Sequence, residues 1–145
     1  TLQLTVIPGM ARQGATRLLV EAVRVRSDLR SSGIGSAVIV DGTLVPNTEL
    51  GHLEIDGHDA EKQAASSVKD RLGLSYEEWA PRLQRYYSVV EMLFSPDLFV
   101  VGGGVSKDHE KFMPQLRLKT PMVPAQLRNK AGIIGAALVS SRAGS

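Results

Sequence analysis

Helix and strand signals alternate along this chain, which predicts an α/β fold built on a mixed sheet. Three stretches carry the prediction. Ala37-Val38-Ile39-Val40 and Thr43-Leu44-Val45 flank Asp41-Gly42 in a strand–turn–strand pattern. Ser75 to Phe94 reads as a capped amphipathic helix. Leu98-Phe99-Val100-Val101 is a continuous apolar run that ends in three glycines.

In chain order, Leu2, Leu4, Val6 and Ile7 suit a short strand stopped by Pro8-Gly9. Leu18, Leu19, Ala22, Val23 and Val25 suit one face of a helix broken at Ser31-Ser32-Gly33, although valines in a basic run suit either state. From Gly33 the signals sharpen. Asp-Gly between two β-branched runs predicts a hairpin, because a type I′ turn needs two positive φ angles. Pro46 to Asp59 is rich in turn formers and polar groups and reads as a loop. Ala60 to Leu72 reads as a helix ended by Gly73.

Ser75-x-x-Glu78 is a capping box. The helix it opens has apolar positions at Trp79, Leu83, Tyr86, Tyr87, Val90, Leu93 and Phe94, which make one wide stripe. The aromatic residues in that stripe read as core. Pro81 should bend the helix and Pro96 should end it. Leu98 to Val101 is expected to be a strand buried on both faces. A short helix is expected from Asp108 to near Pro114, then a short strand at Pro121-Met122-Val123. Gly132 to Ser141 reads as a final helix.

Composition narrows the function classes. At 145 residues the chain is one domain, and 43% hydrophobic with 22% charged residues argues against disorder. The lack of cysteine excludes disulfides and thiolate metal sites, and fits a cytoplasmic location. No apolar run approaches the roughly 20 residues of a membrane span, and no signal-peptide order is seen at the start. The net charge of +2 is uneven: residues 1–32 hold five Arg and two acids. A basic arm can bind nucleic acid, but a solvated helix face is the simpler reading.

Three constellations could carry chemistry. Gly33 and Gly35 lead into the first hairpin strand, where glycines let an anion approach backbone N–H groups; a plain turn is the simpler reading. Glu49-Leu50-Gly51-His52, with Glu61 downstream, has the groups that hold vicinal sugar hydroxyls. A carboxylate accepts from two neighbouring hydroxyls, and an imidazole donates or accepts. The alternative is a solvated acidic loop, since Glu54, Asp56 and Asp59 lie there too. His52, Asp56, His58 and Asp59 offer N and O atoms to a metal, at a spacing that matches no metal motif. Finally, Gly102-Gly103-Gly104 follows a buried strand, where α/β folds bind ligands at strand carboxyl ends. Close packing of strand and turn is its other reading, and the loop has neither a Walker ending nor a dinucleotide spacing.

Taken together, these pieces resemble the ROK family of sugar kinases, and within it the polyphosphate-dependent branch. The resemblance starts at Gly33-Ile34-Gly35-Ser36-Ala37 and Asp41-Gly42 and runs from Pro46 through Glu49-Leu50-Gly51-His52 to Glu61. It resumes at Glu77-Glu78-Trp79 and at Phe94 to Ser106. It closes at Thr120-Pro121, Val123-Pro124-Ala125 and Ala131 to Ala137.

The resemblance implies the C-terminal lobe of an actin-like, ribonuclease H-like kinase over residues 33–145, with 1–32 an atypical segment. It implies glucose phosphorylation with Mg2+ and polyphosphate or ATP as donor. Glu49, His52 and Glu61 would hold glucose, while Gly33, Gly35, Gly102, Gly103 and Gly104 would border the donor. It implies no zinc, no membrane or nucleic-acid partner, and leaves a homodimer open. Lys107, Lys111, Lys119, Arg128 and Lys130 would favour a polyanionic donor or be ordinary solvated surface.

Two departures qualify this. The family's Asp-x-Gly-Gly-Thr-like phosphate loop and its catalytic aspartate are not recognisable here, so no catalytic residue is assigned. Ser31-Ser32-Gly33-Ile34-Gly35 also stands where the family reads Gly-Thr-Gly-Ile-Gly. A truncated and poorly active kinase is therefore expected. The alternatives are a kinase completed by another chain, or a sugar-binding repressor of the same family.

Overall fold

A computed structural model describes residues 17–22, 33–40, 43–48 and 50–125. Its main sheet has five strands in the order β3-β2-β1-β6-β7: β1 Arg17–Ala22, β2 Gly35–Val40, β3 Thr43–Val45, β6 Leu98–Val101 and β7 Met122–Pro124. Between β3 and β6 the chain forms a small hairpin, β4 Glu54–Ile55 and β5 His58–Asp59. The helices are α1 Ala60–Ala64, α2 Ser66–Leu72, α3 Tyr76–Phe94 and α4 His109–Phe112.

The sheet is mixed, as expected. β1 runs antiparallel to β2 and parallel to β6. β2 and β3 pair with Val40 opposite Thr43, the register of a two-residue hairpin loop. The Asp41-Gly42 turn itself lies outside the described residues, as do the expected strand at Leu2 to Ile7 and the expected helix at Gly132 to Ser141.

The helix expected around Leu18, Leu19 and Ala22 is a strand instead. Leu18-Leu19-Val20 is a run of apolar residues, and such a run fits a central strand as well as a helix face. Two flanking strands decide the matter, because each presents backbone groups that only a strand between them can pair.

The helix expected from Ala60 to Leu72 is broken at Ala65, whose ψ is 147°. The break frees the carbonyl of Ala64, and Trp79 Nε1 donates to it at 3.0 Å. Gly73 then ends α2 in the left-handed region at φ 63°.

The capping box forms as read: Glu78 N donates to Ser75 Oγ at 3.2 Å and Ser75 N donates to Glu78 Oε2 at 2.8 Å. Its helix buries Trp79, Leu83, Tyr86, Tyr87 and Val90 against Phe99 and Phe112. Trp79 meets Phe112 edge-on at 5.3 Å, and Tyr87 meets Phe99 in the same way at 5.3 Å. Leu93, expected in that stripe, is 54% exposed, and Phe94 is half-buried. The helix stops at Ser95, just before Pro96. The segment after β6 begins in the 3-10 turn Gly104–Asp108, continues as α4 and ends in the 3-10 turn Met113–Gln115.

Candidate functional site

The stretch from Pro46 to Asp59, read as a loop, holds two built elements. Leu50–His52 is a 3-10 turn, and β4 and β5 pair Glu54 with Asp59 and Ile55 with His58. Asp56 and Gly57 close this hairpin at φ 54° and 77°. That is the Asp-Gly type I′ signature, and the same signal that marks Asp41-Gly42 marks this turn too.

The hairpin and the 3-10 turn bring the acidic and imidazole groups together at the start of α1. His52 Nδ1 lies 3.4 Å from Asp59 Oδ2 and 3.8 Å from Glu61 Oε1. The imidazole is exposed, at 60%, while the Asp59 and Glu61 side chains are 25% and 28% exposed. Lys62 Nζ stands 3.9 Å from Asp59 Oδ2. The other Asp59 carboxylate oxygen, Oδ1, is buried and unpartnered among the described residues. Two of the three sugar-site residues read from sequence thus converge. Glu49 lies outside the described residues.

Asp59 belongs to this cluster, although its sequence context points only to loop acidity or a metal donor. Its place follows from the Asp56-Gly57 turn, because a two-residue hairpin sets Asp59 opposite Glu54 and directly before α1. His52, Asp59 and Glu61 offer ligand atoms within 4.8 Å of one another. Asp56 faces away: Arg85 Nε and Nη2 donate to its two oxygens at 2.8 and 2.7 Å. That pair holds the Asp56 carboxyl below its ordinary value of 3.8.

The two glycine loops share one edge of the sheet. Gly35 opens β2 opposite Ala22, the last residue of β1, and Val101 ends β6 opposite Glu21. The carboxyl ends of β1 and β6 and the start of β2 therefore lie side by side, the usual ligand edge of an α/β sheet. A small apolar void of ≈ 20 Å³ lies in the core, lined by Trp79, Leu83, Tyr87 and Phe112 and reached by Ile34 and Gly102.

Gly33 packs on the Glu61 carboxylate, and Gly51 packs on the Ile34 carbonyl. Leu50 N donates to Ser36 Oγ at 3.0 Å. Gly102 is buried, and Gly103 takes φ 75° with ψ −169°, a conformation open to glycine. Ser106 is fully buried, and its hydroxyl donates to Gly103 O at 2.7 Å. His109 Nδ1 donates to Ser106 O at 2.9 Å, which closes the loop from behind.

The basic residues split. Lys111 Nζ is held by Asp108 at 2.7 Å, and Lys111 and Lys69 both lie over the Tyr76 ring, at 5.3 and 4.5 Å from its centroid. The Asp108 partner, followed by its charge, raises the Lys111 ammonium pKa. Lys107 and Lys119 are exposed and make no ion pair among the described residues. Arg128 and Lys130 lie outside the described residues.

Known proteins are similar to this chain in sequence and in fold. No family model matches the chain. Over 110 residues it is 53% identical to a polyphosphate glucokinase of Mycobacterium leprae, covering 76% of this chain and 34% of that protein. Over 109 residues it is 52% identical to a polyphosphate glucokinase of Mycobacterium tuberculosis, covering 75% and 41%. The chain is a homologue of the polyphosphate glucokinases. It spans well under half the length of those two relatives and matches their C-terminal part.

A crystal structure of a polyphosphate/ATP-glucomannokinase from an Arthrobacter strain superposes with TM-score 0.77 at 55% identity, covering 88% of this chain and 47% of that one. A ROK-family glucokinase from Streptomyces griseus, solved with glucose and AMPPNP, shares the fold at TM-score 0.65 and 20% identity, covering 88% and 61%. The fold is thus that of the actin-like ROK sugar kinases. No described helix is long and apolar enough to cross a membrane.

Proposed function

We propose that this chain supplies the sugar-holding wall of a kinase that phosphorylates glucose from polyphosphate or ATP. The convergence of His52 and Glu61 at 3.8 Å carries the reading, together with the identity to polyphosphate glucokinases. Glu61, with Glu49, accepts hydrogen bonds from neighbouring sugar hydroxyls. His52 donates its Nδ1–H in a hydrogen bond to Asp59, which leaves Nε2 as an acceptor for a further hydroxyl. Gly33 and Gly35, with Gly102 to Gly104, border the donor.

The donor set at His52, Asp59 and Glu61 mixes one imidazole nitrogen with carboxylates, which suits Mg2+ poorly. Magnesium would come with the donor and would supply charge neutralisation. What these residues contribute is orientation of the sugar hydroxyls.

A positioned base is worth about 10²–10⁴-fold, and none is recognisable in this sequence. The chain alone should therefore bind glucose and turn it over slowly at best. A coupled glucose 6-phosphate assay with Mg2+ and either donor tests this, run beside a glucose titration. Robust turnover would contradict the missing base, and absence of glucose binding would sink the sugar-site reading itself. A ROK-family transcriptional regulator shares this fold at TM-score 0.59 and 17% identity, and nothing at the described site favours a sugar-binding repressor over the kinase reading.

A further inference from the structure

We infer, on the basis of the sugar-site reading above, that Gly33 is a positioning residue for the sugar: its missing side chain fixes where the Glu61 carboxylate sits, and so ties the acceptor site to the donor loop.

Three contacts join the segment Gly33 to Ser36 to the sugar-holding elements. The first is between Gly33 and Glu61. A methyl group on Gly33 would fall on Glu61 Oε2 and stand 3.2 Å from its Cδ. The second is between Gly51 and Ile34. A methyl group there would fall on the Ile34 carbonyl oxygen and stand 3.3 Å from its carbon. The third is the hydrogen bond from Leu50 N to Ser36 Oγ at 3.0 Å. The loop expected to border the donor therefore lies in direct contact with the turn that carries His52 and with the carboxylate beside it.

The two glycine contacts differ in what can give way. Gly51 faces backbone, which is fixed by Ile34 being buried at the root of β2. Gly33 faces the far end of a flexible side chain, which moves by changing rotamer. A side chain at position 51 should therefore disturb the fold, while one at 33 should leave the fold and displace only the carboxylate. Because Glu61 Oε1 is also 3.8 Å from His52 Nδ1, that displacement alters the surroundings of the imidazole. Gly33 thus acts through Glu61.

The test uses Gly33→Ala, Gly51→Ala, Glu61→Ala and the double variant Gly33→Ala/Glu61→Ala, with glucose titration, thermal melts and NMR of the His52 ring. Gly33→Ala should melt close to wild type and lose about tenfold or more in glucose affinity, the scale of one charge-assisted hydrogen bond. Its His52 ring signals should shift. With the carboxylate removed the added methyl has nothing left to displace, so the double variant should match Glu61→Ala both in glucose affinity and in its His52 signals. Gly51→Ala should melt lower.

Wild-type affinity with unmoved His52 signals in Gly33→Ala would overturn the inference, as would unfolding of that variant. A wild-type chain that binds no glucose would defeat the sugar reading alone. The His52 signals would still decide whether Gly33 positions Glu61.

Discussion

Arg85 grips both carboxylate oxygens of Asp56, from Nε at 2.8 Å and Nη2 at 2.7 Å. Asp56 sits at the turn of the hairpin whose other end carries Asp59, and Arg85 projects from the long helix α3. The pair clamps the site hairpin onto α3, whose opposite face packs into the core. Its two side chains are 55% and 61% exposed, so its effect is modest and falls with salt.

The hydrogen bond from Arg85, ahead of its charge, lowers the Asp56 pKa below 3.8. A carboxylate with a lowered folded-state value stabilises the fold above its unfolded value and loses that contribution as pH falls through the folded one. The melting difference between wild type and Arg85→Ala should hold from about pH 7 to about pH 4 and vanish in stronger acid. Melts in buffers across that range check this. A difference that grows on acidification would contradict the clamp.

The capping box makes a second prediction. Ser75 and Glu78 each satisfy the other's backbone N–H at the start of α3. Ser75→Ala should cost about 1 kcal/mol in urea unfolding. Ser75→Asp should recover most of that loss, because aspartate caps as well as serine and suits the helix N-terminus. Equal stability of Ser75→Ala and wild type would mean that the cap is redundant.

Trp79 connects the core to the site. Its indole takes the carbonyl freed by the break after α1, three residues beyond Glu61. Trp79→Phe keeps an aromatic ring in the core and leaves that buried carbonyl unpaired, at a cost of about 1–3 kcal/mol. Glucose affinity should fall with it, since α1 loses an anchor. Urea melts and a glucose titration of the same variant measure both. Unchanged stability would show that another group reaches Ala64.

Much of this architecture was legible because local chemistry decided it. Ser75 and Glu78 announced their helix, and Leu98 to Val101 announced a buried strand. Residues 17–22 were not legible as a strand, because the state of Leu18-Leu19-Val20 is settled by β2 and β6 pairing on either side, a contact between distant parts of the chain. The Ala65 break was hidden for the same reason: its compensation comes from Trp79.

The hairpin at Asp56-Gly57 was different, since its turn signal was present and was outweighed by the polar composition around it. That hairpin places Asp59 beside His52. The grouping of His52 with Glu61 was legible as chemistry and sharpened by resemblance, and only the structure supplied the contact of Gly33 with Glu61.

The sugar site itself is most directly tested by calorimetric titration of glucose into this chain and into His52→Ala. The account predicts saturable binding to the chain, weakened about tenfold or more in the variant. Equal binding by both proteins, or none by either, would contradict it.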